Sequence, residues 1–106
     1  MPQLLAGLAP LIDTYDLFVV DQWGCMHDGH AAHPGARALL VRLKDAGKRV
    51  VLVSNSSRPA APSQDILDAL GFESDLYDAM LTAGELARRW LKARWDAGEV
   101  TRAYSV

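Results

Sequence analysis

Cysteine occurs once in the 106 residues, at Cys25. An internal disulfide is therefore excluded, and a reducing compartment fits. A basic excess is also missing: eleven Lys and Arg stand against thirteen Asp and Glu, for a formal net charge of −2 and a pI near 5.8. That removes the electrostatic footprint of a nucleic-acid binder. The basic residues fall mostly on predicted helices, where a solvated face is the ordinary reading. No apolar run approaches membrane-spanning length. The opening MPQLLAGLAPLID lacks the positive leader of a secretory signal, since the first basic residue is Arg37 and Pro10 interrupts the apolar stretch. The expectation is a cytoplasmic protein with neither nucleic acid nor membrane as partner. No GxGxxG follows the first predicted strand and no GxxxxGK[ST] occurs, so dinucleotide and P-loop readings lack support. Cysteine phosphatases carry an Arg six residues past the nucleophile, and Ala31 stands six past Cys25.

What is present is a folding composition, with 50% hydrophobic and 23% charged residues. At this length one small domain is expected. Residues 3 to 12 are a short helix candidate. DLFVVD, residues 16 to 21, is a continuous apolar run ending on an acid, the pattern of a strand buried on both faces of a parallel sheet. WGCMHDGHAAHPG reads as a loop on its glycines and proline. Pro34 opens a helix on which Ala36, Leu39, Leu40 and Leu43 share a face, with Gly47 just past its end. RVVLVS, residues 49 to 54, repeats the buried-strand pattern, and NSSRP repeats the polar loop. A helix near 62 to 70 follows, with Ile66, Leu67 and Leu70 on one face. YDAML, residues 77 to 81, is a third short strand. Thr82 caps a helix over 83 to 95 with Leu86, Ala87, Trp90 and Leu91 inward. The tail GEVTRAYSV begins another extended run. Alternating strand and helix predicts an α/β fold with a doubly wound, Rossmann-like parallel sheet. Ligands of such sheets bind beyond the carboxyl ends of the strands, where both polar loops leave. If the first two strands are neighbours, Asp21 and Ser54 meet one crevice.

Asp21 at a strand end is poised to attack phosphorus and form an acyl-phosphate. From position alone it reads equally as a loop cap bonding backbone amides. Ser54 and Asn55 can hold phosphoryl oxygens and transition-state charge, or form a self-satisfied turn. Arg58 reaches a phosphate or stays on the surface, the surface being the commoner case. His27, His30 and His33 recur every third residue, but Gly29 and Pro34 break any helix that would align them. Loop histidines are the plainer reading than a zinc set.

Taken together, FVVDQWGCMHDG and VVLVSNSSRP resemble the first two motifs of the haloacid dehalogenase (HAD) superfamily. HDGHAAHPGARALLVRLKDAGKRV and LGFESDLYDAMLTAGELARRWL are similar to its class IIA branch, the NagD-like and p-nitrophenylphosphatase-like enzymes. The resemblance runs from about residue 14 to 95. It implies a HAD-type core and a magnesium-dependent phosphohydrolase working through an aspartyl-phosphate on a small phosphorylated substrate. Asp21 would be nucleophile and magnesium ligand, and Trp23 would offer its backbone carbonyl to the metal. Gly24, Ser54, Asn55 and Arg58 would surround the phosphoryl group, Ser54 bonding it directly.

Two departures qualify that picture. Most superfamily phosphatases carry a second Asp, acting as general acid, where Trp23 stands, and tryptophan cannot usefully donate a proton there; His27 and Asp28 are the nearby substitutes. The third and fourth motifs, a cation and paired acids, are expected beyond residue 106, and a cap after about residue 95. Residues 1 to 106 are therefore expected to form the amino-terminal part of one core domain, inactive alone and prone to self-association through an unpaired sheet edge. The alternative is a catalytically idle α/β module that binds a phosphorylated ligand or a protein partner. A receiver-type phosphoacceptor would need two adjacent acids, and Asp21-Gln22 does not supply them.

Overall fold

The computed structural model describes residues 7–102 and Tyr104. Three strands, β1 (Leu17–Asp21), β2 (Arg49–Ser54) and β3 (Ala79–Thr82), form a wholly parallel sheet in the order β1-β2-β3. Helix α1 (Ala36–Asp45) joins the first two strands and α2 (Ala60–Ala69) the second and third; α3 (Ala83–Asp96) follows β3 directly. Parallel neighbours require such crossovers, and successive crossovers of one hand in one direction land on the same face. The core bears this out: Leu40 and Leu43 of α1 and Leu67 of α2 are buried with Val50, Leu52 and Met80 of the sheet. Phe72, fully buried after α2, and half-buried Phe18 and Val20 join it, with Ile12, Met26, Leu76 and Tyr77.

The register pairs Val20 with Leu52 and Leu52 with Met80, so these residues share the helix-covered face. Alternation puts Leu17, Val19 and Asp21 on the opposite face. There Leu17 and Val19 are 54% and 61% exposed. The expectation that β1 is buried on both faces is corrected: α1 and α2 lie on one side, and among the described residues no second layer covers β1. The inward face expected of α3 is corrected for the same reason. Leu86, Ala87 and Trp90 are exposed and Leu91 is half-buried. Instead Glu85 is buried, held by Arg88 at 3.0 Å and Arg89 at 3.2 Å. Helical periodicity says which residues share a face, not whether a layer exists to meet it.

The remaining boundaries move by small amounts. The third strand begins two residues later than expected, because Asp78 and Tyr77 approach it as extended loop, with the Asp78 carboxylate accepting from the Val50 N–H at 2.8 Å. A single 3-10 turn, Ala9–Leu11, stands within the helix expected over 3 to 12; residues 3 to 6 lie outside the described residues. The extended tail is not seen among the described residues of 98–106, of which 103, 105 and 106 lie outside. Among the described residues no helix is long and apolar enough to cross a membrane.

Candidate active site

The carboxyl edge of the sheet presents two loops. β1 ends at Asp21, whose exposed side chain accepts the Gln22 N–H through Oδ1 at 2.8 Å. The chain then folds back at once. The Gln22 carbonyl accepts the Cys25 and Met26 N–H groups at 3.1 and 2.7 Å, and the Gly24 N–H donates to the His27 carbonyl at 2.8 Å. Gly24 sits at φ 83°, a left-handed conformation that favours glycine. This closed loop turns Gln22 and His27 inward, leaving them 5% and 3% exposed. Cys25 stays exposed with a free thiol.

His27 accepts the Gly29 N–H through Nδ1 at 3.0 Å. Burial holds its pKa below the usual imidazole value, and nearby Asp28 only partly offsets that. The Trp23 ring meets His27 edge-on, 5.4 Å between centroids, and also lies over Gly29, where an added Cβ would strike it. Asp28 is otherwise engaged: its Oδ1 accepts the His30 and Ala31 N–H groups, each at 2.8 Å. Those two backbone donors, Ala31 first, hold its carboxyl below the ordinary range.

At the end of β2 the serines form two overlapping turns. Ser54 Oγ accepts the Ser56 N–H at 3.1 Å, and Ser56 Oγ accepts the Arg58 N–H at 3.2 Å. A hydroxyl that accepts from the backbone still has its proton to donate outward. The far side of this loop is fixed by α3. Thr82 is fully buried; its Oγ1 donates to the Arg58 carbonyl at 2.6 Å and accepts the Glu85 N–H at 3.0 Å as the helix cap. The Gly84 N–H donates to the Ser56 carbonyl at 3.0 Å, and a Cβ at Gly84 would fall on the Ser57 carbonyl.

Between the two loops lies a cavity of about 200 Å³. Gln22, Trp23 and His27 line one side, and Ser54, Ser56 and Arg58 the other, with Ser63 and Ile66 of α2 behind. Of the residues singled out from sequence, Ser54, Arg58 and Trp23 converge here. Asp21, Gly24 and Asn55 do not line it. The register explains Asp21: it pairs with Val53, so it ends on the open face while Ser54, one step further along β2, ends on the covered one. Gln22, Ser56, Thr82 and Gly84 are contributors with no site assignment from sequence. From sequence, His27 stands only as a nearby proton source and as one of three loop histidines. The three histidines do not assemble: His27 is buried, His33 half-buried and His30 exposed. Among the described residues no group of three or more His, Cys, Asp or Glu comes together.

A family model described as haloacid dehalogenase-like hydrolase matches residues 18–104. Human chronophin is 40% identical over 97 residues, which cover 87% of this chain and 33% of that protein. Bovine chronophin is 41% identical over 91 residues, covering 81% and 31%. A hydrolase of the haloacid dehalogenase-like family from Brucella suis 1330 superposes with a TM-score of 0.74 at 28% identity, covering 97% of this chain and 45% of its own. The chain thus spans about a third of the length of the curated relatives it matches.

Proposed function

Because the chain belongs to the haloacid dehalogenase-like hydrolases, we propose that it carries the nucleophile and phosphate contacts of a magnesium-dependent phosphohydrolase. The observation that carries this reading is the pairing of β1 with β2, which ends Asp21 and Ser54 at one sheet edge beside the serine-lined cavity. A phosphoryl group at that edge would take hydrogen bonds from the Ser54 and Ser56 hydroxyls and charge from Arg58. With Oδ1 held by the Gln22 N–H, Asp21 Oδ2 is the attacking oxygen. The Oδ2–P bond forms as the bond from phosphorus to the leaving oxygen breaks, and the leaving group keeps the electron pair. Water then attacks phosphorus and returns Asp21 as a carboxylate with free phosphate.

Magnesium takes oxygen donors and often only one or two carboxylates, with water and phosphate completing its shell. The Asp21 carboxylate and the Trp23 carbonyl are the oxygens that would hold it. Both are oxygen donors, which suit that ion better than the nitrogen and sulfur sets of zinc. When bound it would reduce repulsion between carboxylate and phosphate. The substrate is a small phosphorylated molecule, in keeping with the cavity's size, and the free Cys25 suits a reducing cytoplasm. Residues 1 to 106 would form the amino-terminal part of one core domain, with cap and remaining core supplied outside them.

The test is magnesium-dependent hydrolysis of 4-nitrophenyl phosphate by a full-length chain and its Asp21→Asn variant. Turnover should vanish in the variant, because an amide forms no acyl-phosphate; retained turnover would move the chemistry, with Cys25 next to be replaced. A second reading is favoured by one observation, that Asp21 stands outside the cavity. On that reading the chain is an idle module that binds a phosphorylated ligand. Phosphate binding without any turnover in the full-length parent would select it.

A further inference from the structure

Two buried polar side chains in the cavity wall have no role in the scheme above. The Gln22 side-chain Nε2 is buried with no hydrogen-bond partner among the described residues. A buried amide without a partner is costly, and a group in that condition beside a cavity is suited to a ligand atom. His27 is buried in the same wall. Its Nδ1 accepts the Gly29 N–H, so Nδ1 carries no proton, and the neutral ring must carry its proton on Nε2. Both side chains are thus donors of neutral hydrogen bonds, on the Gln22–Trp23 side of a cavity whose other side is Ser54, Ser56 and Arg58.

We propose that Gln22 and His27 form a donor pair that binds the leaving-group oxygen of the substrate. The inference rests on the phosphohydrolase reading for the position of phosphorus at the Asp21–Ser54 edge. With the phosphoryl group on the serines, the bridging oxygen faces the opposite wall. Charge grows on that oxygen as its bond to phosphorus breaks, and donors already in place stabilise it without moving a proton. The leaving group departs as an anion and is protonated by water later. Donation in place of proton transfer fits Trp23, which offers no acid and instead packs its ring edge-on against His27. It also selects a substrate class: phosphate esters and anhydrides whose leaving groups are stable as anions, such as phenols and carboxylic acids. The Ile66 side chain at the back of the cavity gives a small ring or acyl chain apolar contact.

The experiment is nitrogen-15 NMR on the full-length Asp21→Asn variant, which should bind without turnover, with magnesium present, titrated with benzylphosphonate and with phenyl phosphate. His27 should show a protonated Nε2 and a bare Nδ1 before any ligand is added. The Ser54 amide should respond to both ligands. The Gln22 side-chain amide and His27 Nε2–H should respond to phenyl phosphate only, since benzylphosphonate carries a methylene where the ester has its bridging oxygen. His27→Ala should weaken phenyl phosphate about tenfold, one good hydrogen bond's worth. His27→Gln, which keeps a donor, should recover most of that, and neither variant should change benzylphosphonate affinity. A Ser54 response to both ligands with Gln22 and His27 unmoved would overturn the donor pair and leave the hydrolase reading standing. No response from Ser54 to either ligand would sink that reading and the pair with it. An Nδ1-protonated His27 would overturn the pair by itself.

Discussion

Trp23 is where this chain parts from the family pattern, and it sets a kinetic expectation at the scale of single residues. General acid catalysis contributes about 10²–10⁴-fold when a leaving group is poor. Without an acid at position 23, kcat/KM should fall steeply as leaving-group basicity rises, with aryl and acyl phosphates turned over and alkyl phosphates nearly ignored. Trp23→Asp in the full-length protein should raise alkyl phosphate turnover more than aryl. A flat dependence in the parent would mean that another residue already donates a proton. Asp28 is a poor substitute, since its carboxylate is fixed by two backbone donors. Asp21, Ser54 and Arg58 were legible as candidates because strand ends and polar loops are marked by residue type. Gln22 was not, and His27 only as a loop histidine or nearby proton source, because hydrophobic patterning cannot tell which polar loop residues turn inward. That is decided by the backbone bonds of residues 22 to 27, chiefly the two N–H groups that converge on the Gln22 carbonyl.

At the scale of elements, the contact between α3 and the Ser56–Arg58 turn ties the site to the rest of the sheet. Helix propensity alone favours alanine over glycine by about 1 kcal/mol, so Gly84→Ala would ordinarily stabilise α3. Here the added Cβ meets backbone at Ser57, and overpacking of that kind costs about 1–3 kcal/mol. The expected net result is destabilisation, read as a lower midpoint in urea, together with weaker phosphate binding as the turn carrying Arg58 shifts. A stabilised variant with unchanged phosphate affinity would show that the turn does not depend on this contact. Thr82→Val, which loses both the helix cap and the bond to the Arg58 carbonyl, should cost about 1–2 kcal/mol. The cap was readable, since Thr82 precedes an apolar-periodic run with Glu85 three residues on. Its second bond, across to residue 58, joins segments 24 residues apart, and no local pattern announces it.

At the scale of the whole molecule, the strand runs, their parallel pairing and the α/β class were all legible, because continuous apolar strands alternating with amphipathic helices admit few other folds. What patterning overstated was burial. It marked Val19, Leu86 and Trp90 as interior, and the described residues leave them exposed. β1 is an edge strand here, with Leu17 and Val19 bare on one face, and open edges and apolar faces invite association. The 106-residue chain is therefore expected to be inactive by itself and to self-associate, with Val19→Lys reducing its apparent mass in light scattering; a parent that stays monomeric at high concentration and turns over substrate would refute this. The central claim, that Asp21 becomes phosphorylated, is tested most directly by trapping. The full-length protein would be mixed with magnesium and an aryl phosphate, quenched during turnover and reduced with borohydride, which converts an aspartyl-phosphate to homoserine. Peptide mass spectrometry should find homoserine at position 21 and unmodified Asp13, Asp16 and Asp28. A modification at another residue, or turnover with none at Asp21, would contradict the account.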